Sequence, residues 1–117
     1  MQPAPIKPII TIDTLQQIDI RVGTIVRVED IEKSNSLVRL TVDCGDRERS
    51  VMAGMKGERD DPQEIVGRQA LFVLNLEPKK MFGELSEGML FDLGYEDGIP
   101  PALAMPENPV PNGTRAG

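Results

Sequence analysis

The sequence predicts an all-β domain, a five-stranded Greek-key barrel with small inserted helices and extended, proline-rich terminal arms. Its 117 residues allow one hydrophobic core rather than two. Aliphatic and β-branched residues alternate with polar ones over short runs, which is the pattern of half-buried strands. Turn residues separate these runs, and neither a repeat nor a heptad is present. Together these features predict a small barrel.

The N-terminal part of the chain predicts an arm, a short helix and a long strand. Residues 1–10 contain three prolines and are expected to form the arm, while residues 11–117 form the barrel domain with its C-terminal extension. Thr11 is suited to cap a short helix. The run 20–29 predicts the first strand, with a bulge or bend at Gly23. One face of this strand is predicted to consist of Ile20, Val22, Thr24, Val26 and Val28.

The middle of the chain predicts three more strands. The second strand places Val38, Leu40, Val42 and Cys44 on one face. Residues 47–52 return as its hairpin partner. Asp61, Pro62 and Glu64 are typical of a helix start, and the apolar run 69–75 is expected to be a strand buried on both faces.

The C-terminal part predicts a polar loop over residues 77–88 and a fifth strand over 89–93. A last short strand over 102–105 precedes the proline-rich tail 106–117. Five strands with one small helix between the third and the fourth follow the element order of an OB-fold barrel, whereas other small barrels usually lack that helix.

The composition excludes most catalytic chemistry. Without histidine and with one cysteine, the chain can build neither a Ser-His or Cys-His pair nor a zinc or iron–sulfur site of its own, and no cofactor is predicted. Asp60 and Asp61 could act as acid and base, but nothing places a second group opposite them, and helix capping before Pro62 is the favoured interpretation.

The same counts indicate a compartment and a class of partner. Cys44 alone cannot form an internal disulfide, which fits a reducing cytoplasm. Prolines interrupt the N-terminus, which is therefore no signal peptide, and no apolar run approaches the roughly 20 residues of a bilayer span, so no membrane partner is expected. The formal net charge of −6 argues, on its face, against a nucleic-acid partner.

The loops of an OB-fold are where a ligand is expected. OB-folds bind ligands on the face of strands 2 and 3 and at the loops that join strands 1–2 and 4–5. Here that face offers Arg39, and the 4–5 loop contains Lys79, Lys80, Met81 and Phe82. Ammonium groups beside a soft apolar surface suit single-stranded nucleic acid. The simpler alternative is that the lysines keep the loop soluble while Met81 and Phe82 lie under the barrel, and spacing alone favours it.

Five segments of the chain form a recognisable set, namely Asp19-Ile-Arg-Val-Gly23, Leu40-Thr-Val-Asp-Cys-Gly45, Val51-Met-Ala-Gly54, Asn75-Leu-Glu-Pro-Lys-Lys-Met-Phe-Gly83 and Ser86-Glu-Gly-Met-Leu90. In this order and spacing they resemble the tRNA-binding domain family. Members are OB-fold modules appended to methionyl-tRNA synthetases or found as free dimeric tRNA-binding proteins and cytokine-like polypeptides. The match runs from about Asp13 to Arg115. The resemblance implies a structure-recognising tRNA binder that carries out no reaction itself.

The resemblance changes the interpretation of the basic side chains. Lys79 and Lys80 fall where the family carries basic residues, so phosphate contact becomes the favoured role. In the first loop many members read His-Pro-Asn-Ala-Asp-Lys, where this chain has Ile31-Glu-Lys-Ser-Asn-Ser36 and keeps Lys33 as its one cation. Lys33 and Arg39 are therefore also predicted to contact tRNA.

Four further residues are implied as tRNA contacts, and three of them have a structural alternative. Arg21 would meet phosphate or, alternatively, form an ion pair with Asp19. Asn75 would read a base edge or a sugar hydroxyl, or simply end its strand. Ser86 and Met89 would hydrogen-bond to and pack on a splayed base, with burial in the core as the alternative for Met89.

The expected assembly is a homodimer, in which two barrels double the contact surface and the proline-rich ends dock across the two-fold axis. Met1 and the completeness of the match favour a free-standing protein, and an aminoacyl-tRNA synthetase is a further candidate partner. The alternative function is a dimeric chaperone-like module that holds extended, unfolded polypeptides on exposed apolar side chains. These side chains are predicted to be Met55, Met81, Phe82 and Met105.

Overall fold

The computed structural model describes all 117 residues and contains nine β-strands, one α-helix and two 3-10 helices. The strands are β1 (Ile20–Asp30), β2 (Leu37–Asp43), β3 (Glu48–Gly54), β4 (Gln69–Val73), β5 (Lys79–Met81), β6 (Glu84–Ser86), β7 (Met89–Leu90), β8 (Asp92–Leu93) and β9 (Ala102–Leu103). Helix α1 spans Ile12–Leu15, and the 3-10 helices span Pro62–Ile65 and Tyr95–Asp97. None of these helices has the length and apolar character needed to cross a bilayer.

The predicted five-stranded barrel is confirmed. An antiparallel sheet has the order β3-β2-β1-β4-β7, in which the long β1 pairs with β4 along its first half and with β2 along its second half. The two ends of the sheet meet after β6, where the Glu87 N–H donates to the Ser50 carbonyl at 2.8 Å. The Met52 N–H also donates to the Ser86 hydroxyl at 3.0 Å. These bonds link β3 to the segment that leads into β7 and so close an OB-like barrel.

The predicted core face of β1 holds at Val22 and Val28, which are buried, but it wrongly includes Val26 and misses Ile25. The register with β2 shifts between Ile25 and Arg27, so a bulge lies there and not at Gly23. Because a bulge inserts one residue and reverses the alternation, Ile25 is fully buried and Val26 only half-buried. The chain needs a glycine at position 23 for a different reason, because a Cβ at this position would lie 2.5 Å from a methyl of Val42.

The core lies inside the barrel and follows the predicted alternation of β2. Val38, Leu40, Val42 and Cys44 are all buried, and Phe72 of β4 is completely enclosed. Burial of side chains of this size stabilises the fold by about 1.5–3 kcal/mol each. The remaining members of the core cluster are Ile25, Val28, Val51, Ala53, Met55, Ile65, Ala70, Leu90 and Leu103.

Both predicted helix caps are present. The Thr11 hydroxyl accepts from the Thr14 N–H at 3.2 Å at the start of α1. The Asp61 carboxylate accepts from the Gln63 N–H at 3.0 Å, which supports the capping interpretation of the acidic pair before Pro62. This cap also positions Ile65, which is fully buried in the core.

The two proline-rich ends of the chain differ. The C-terminal tail follows the free edge of β1, where the Gly113 N–H donates to the Val22 carbonyl at 2.8 Å and the Val22 N–H donates to Thr114 at 2.9 Å. The Thr24 hydroxyl also donates to Asn112 at 2.8 Å. Residues 1–10, by contrast, are exposed throughout. The tail is therefore part of the fold, and the N-terminal arm is the end that remains uncovered.

Candidate nucleic-acid interface

The segment predicted as a polar loop, residues 77–88, contains a β-hairpin. Strands β5 and β6 pair antiparallel, and Phe82 and Gly83 connect them with φ angles of 51° and 78°. Positive φ at both central residues is the geometry of a type I′ turn, which usually carries Asn-Gly or Asp-Gly. Phenylalanine seldom adopts this conformation, so the sequence gives little sign of the hairpin beyond Gly83.

The hairpin has two faces. Lys79 lies opposite Ser86 and Met81 opposite Glu84, so these four side chains share one face. Because Ser86 is buried and Met81 and Glu84 are half-buried, this face lies towards the barrel. Lys80 and its partner Leu85 occupy the other face and are exposed. Phe82 sits exposed at the turn, so it does not lie under the barrel as the simpler alternative supposed.

Three polar side chains fix the hairpin to β2 and β3. Arg39 of β2 forms an ion pair with Glu84. The Ser86 hydroxyl accepts from Met52 and donates to the Gly88 carbonyl at 3.2 Å. The Glu87 carboxylate accepts from the Ser50 N–H at 2.9 Å, which lowers its pKa below the usual range, and the Arg47 guanidinium adds to this effect. The hairpin is therefore held on the face where OB-folds bind ligands.

The basic side chains that were predicted to contact tRNA fall into two groups, according to whether a carboxylate of the protein neutralises them. Seven of the thirteen Lys and Arg side chains form ion pairs, namely Arg21, Arg27, Arg39, Arg47, Arg49, Lys56 and Arg59. The six without an ion-pair partner are Lys7, Lys33, Arg68, Lys79, Lys80 and Arg115. Three of the predicted contacts are thus free cations, and the hairpin carries two of them at consecutive positions.

Lys33 lies on a loop that is held in one conformation. The buried Ser34 hydroxyl accepts from the Leu37 N–H at 2.9 Å. The Lys56 ammonium donates to the Ile31 and Ser34 carbonyls, both at 2.7 Å. Lys33 itself is exposed on this fixed loop.

Arg39 and Arg21 are both neutralised. Arg39 is bound by Glu84 and by Glu29 at 3.5 Å, and these carboxylates, Glu84 before Glu29, raise its pKa above the usual value. Arg21 donates to Asp19 at 2.6 Å, which is the ion pair considered as the alternative to phosphate contact. It also donates to the Gly113 carbonyl of the tail at 3.2 Å. Neither guanidinium is available to phosphate unless an internal pair opens.

Asn75 connects the end of β4 to the segment before β1. Its side-chain oxygen accepts from the Asp19 N–H at 2.8 Å, and its nitrogen donates to the Gln17 carbonyl at 2.6 Å. Both ends of the amide are therefore used within the protein, a role that neither alternative from the sequence described.

Met89 is 44% exposed at the start of β7, so it is not part of the core. The preceding Gly88 permits a close approach of the chain to β4, since a Cβ at this position would lie 2.8 Å from the Val73 carbonyl oxygen. Met89, like Phe82 and Leu85 of the hairpin, supplies exposed apolar surface. The sequence did not single out Leu85 or Glu84, because their roles depend on the pairing of the hairpin.

Comparison with known proteins gives consistent matches. A model of the family described as a putative tRNA binding domain matches residues 20–115. A methionine–tRNA ligase of Methanocaldococcus jannaschii is 43% identical over 89 residues, and the match covers 76% of this chain but only 14% of that protein. A methionine–tRNA ligase of Chlorobium chlorochromatii is 42% identical over 92 residues, which are 79% of this chain and 13% of that protein.

Solved structures of similar length also match. A MetRS related protein from Pyrococcus horikoshii has a TM-score of 0.86 and 32% identity, covering 95% of this chain and 100% of that one. A chaperone CsaA from Bacillus anthracis has a TM-score of 0.78 and 25% identity, covering 94% of this chain and 100% of that one.

Proposed function

Since the chain belongs to the putative tRNA binding domain family, we propose that it is a free-standing tRNA-binding protein of the cytoplasm that catalyses no reaction of its own. The observation that carries the proposal is the pair of exposed lysines, Lys79 and Lys80, which lack a carboxylate partner and lie on a hairpin fixed to the ligand face of the barrel. These two cations have no internal ion pair to break, so they can bind phosphate directly and release its counterions.

The proposed contacts combine charge with apolar surface. The ammonium groups of Lys79 and Lys80 bind phosphates, and Lys33 adds a third cation on the neighbouring OB-fold loop. The exposed side chains of Phe82 and Met89 offer surfaces on which unstacked bases can pack. This arrangement gives an acidic protein a small cationic face for structured RNA.

The other predicted contacts have a supporting role in this proposal. Arg21, Asn75 and Ser86 spend their polar atoms on bonds within the protein. In this proposal they therefore position the hairpin and β1 and do not contact the RNA. Arg39 binds phosphate only when the phosphate replaces Glu84 as its ion-pair partner.

The proposed assembly is a homodimer. The short helix α1 and the segment after it expose Ile12, Leu15 and Ile18, and no residue of the helix is buried. A second copy would cover this surface, and two linked RNA sites would raise the effective affinity without new contacts. Light scattering after size exclusion would show about twice the 12.9 kDa chain mass, and a mass of one chain would contradict this part of the proposal.

The test of RNA binding is a titration of labelled tRNA at low and moderate salt. The logarithm of the affinity should fall by roughly 0.7–0.9 per logarithm of salt for each phosphate contacted. Lys79→Glu with Lys80→Glu should lower the affinity by roughly tenfold or more while the circular dichroism spectrum stays unchanged.

A matched control separates the site from the overall charge. Arg68→Glu with Arg115→Glu changes the net charge equally, on two exposed cations that lie outside the hairpin. This control should weaken tRNA binding much less. An equal loss in both double variants, or no loss in the hairpin variant, would show that the interface lies elsewhere.

The second candidate function is a dimeric chaperone-like module for extended polypeptides. It is favoured by the similarity to the chaperone CsaA and by a groove of about 710 Å³ on the barrel that exposes apolar side chains. Of the side chains expected to be exposed and to serve it, Met55 is buried in the core and Met81 is half-buried, while Phe82 and Met105 are exposed. Suppression of aggregation of an unfolded protein, with no tRNA binding at low salt, would select this function. An aminoacyl-tRNA synthetase remains a proposed partner for the first function.

A further inference from the structure

A groove lies on the barrel, and no residue of the β5–β6 hairpin lines it. It lies between β3, strands β7 to β9 and the 3-10 helix Tyr95–Asp97, and it encloses about 710 Å³. Apart from Met89, which the proposed function assigns to RNA, its apolar side chains include Met52, Leu93, Tyr95 and Ile99. Leu93, Tyr95 and Ile99 are 47–63% exposed, so the groove presents apolar surface that nothing in the single chain covers.

Unpaired carboxylates surround this apolar surface, and the groove is called the acidic groove below. Glu58, Asp92, Glu96 and Asp97 line it, and none of them forms an ion pair. Burial raises the pKa of Glu58, and the nearby Asp92 raises it further while Arg59 lowers it.

The one cation that lines the acidic groove is already neutralised. Arg59 is bound to Glu64 at 2.5 Å, and its side chain is 15% exposed. The groove therefore repels phosphate and suits an apolar segment that carries a positive charge.

The N-terminal arm has this chemistry. Ile6 and Ile9 are 96% and 99% exposed, so the arm does not pack on its own barrel. Lys7 is its only charged side chain, because the first acidic residue of the chain is Asp13.

The three prolines of the arm favour an extended polyproline II conformation with three residues per turn. Ile6 and Ile9 are three residues apart, so this conformation places them on one face and Lys7 on another. Ten residues would then span about 31 Å, comparable to the 30 Å shortest dimension of the molecule. A stiff arm also loses little entropy when it binds.

We propose that the arm of a second copy of this chain lies in the acidic groove, with Ile6 and Ile9 on its apolar surface and Lys7 against its carboxylates. The inference rests on the homodimer of the proposed function and not on RNA binding. It assigns an occupant to the groove, and each copy completes the other's surface.

A charge exchange tests the contact in the full chain. Lys7→Glu should weaken the dimer by roughly threefold or more in sedimentation equilibrium, and Asp92→Lys with Glu96→Lys should do the same. Combining all three substitutions should restore dimerisation, because the charges then attract again. A combined variant that is weaker than either parent would overturn the proposal.

A second variant removes the apolar contact without touching the barrel. Ile6→Asp with Ile9→Asp lies wholly in the exposed arm, so it cannot unfold the core, and it should raise the dimer dissociation constant by roughly tenfold or more. An unchanged constant would overturn the proposal. Failure of the tRNA titration on the unaltered protein would contradict the RNA part of the proposed function and would leave this dimer contact untouched, so the two failures are distinguishable.

Disulfide formation between two different variants identifies which copy supplies the arm. Lys7→Cys protein mixed with Glu96→Cys protein should give a covalent dimer in which peptide mass mapping finds the 7–96 link. Arg68→Cys, exposed and outside the groove, serves as the control and should not link to residue 7. A 7–96 link found only within one chain carrying both cysteines would show that the arm binds its own barrel and would overturn the proposal.

Discussion

The β5–β6 hairpin and the polar cavity beside the start of β1 both carry basic side chains from the family segments, yet their charges are arranged in opposite ways. In the cavity, of about 650 Å³, Arg21 is paired with Asp19. Arg49 there is paired with Asp46 through two bonds of 2.8 and 3.0 Å, which lower the pKa of Asp46 far below its usual value. On the hairpin, the two lysines have no such partner.

The difference shows where an acidic protein can bind RNA. A guanidinium held by a carboxylate must give up that bond before phosphate takes its place, whereas an exposed ammonium releases only counterions. We therefore expect the position of unpaired cations to indicate the interface better than the number of cations does. Residues of the cavity are expected to support the fold, and residues of the hairpin are expected to support binding.

Ser86 gives the largest expected effect, because it belongs to the hairpin but acts on the fold. Ser86→Ala leaves the buried Met52 N–H without its acceptor, and an unsatisfied buried donor costs about 1–3 kcal/mol. Chemical denaturation should show this loss in the free energy of unfolding. The control is Ser50→Ala, whose hydroxyl makes no hydrogen bond while its backbone does. Equal stability of the two variants would contradict the bracing role.

Asn75 tests the opposite region. Asn75→Ala removes both amide bonds between β4 and the segment before β1, and we expect a loss of about 1 kcal/mol in the free energy of unfolding. The affinity of the folded protein for tRNA should stay within twofold. A large loss of affinity at unchanged stability would mean that Asn75 contacts RNA, as the family resemblance implied.

Much of the fold could be predicted from the sequence, because its signals are local. The alternation of Val38, Leu40 and Val42 defines a strand whatever lies elsewhere, and the cap at Asp61 depends on residues two or three positions away. The bulge after Ile25 was not predictable in this way, since it depends on the pairing of β1 with β2.

The candidate site was predicted only in part, for a related reason. The basic residues could be named from the family segments, but their neutralising partners could not. Arg39 and Glu84 are 45 positions apart and meet only because the hairpin folds onto β2. Which cations are free is a property of the tertiary structure.

Glu84 tests the comparison directly, because removing its charge should leave Arg39 with only the longer ion pair to Glu29 at 3.5 Å. Glu84→Gln keeps the shape of the side chain and weakens its hold on Arg39. We expect tRNA affinity to rise roughly two- to fivefold, and the slope of log affinity against log salt to steepen by up to about 0.9, as for one added phosphate. The control Glu107→Gln removes one exposed negative charge far along the chain and should change neither the slope nor, beyond a small general effect, the affinity. An unchanged slope in the Glu84 variant would show that Arg39 stays unavailable to RNA.

Glu87 gives the smallest expected effect and depends on pH. Its pKa in the folded protein is lowered, first by the Ser50 N–H and then by Arg47, so its contribution to stability is present above its unfolded pKa of about 4.3 and is lost as the pH falls through the folded value. Glu87→Gln should therefore be less stable than the parent by about 0.5 kcal/mol at pH 7, because Arg47 is half exposed and well screened. The difference should shrink as the pH falls below about 4, where the parent loses the same charge. Urea denaturation of both proteins from pH 7 to pH 3 measures this difference in the free energy of unfolding. A difference that stays constant across this range would show that the Glu87 carboxylate does not hold the hairpin through its charge.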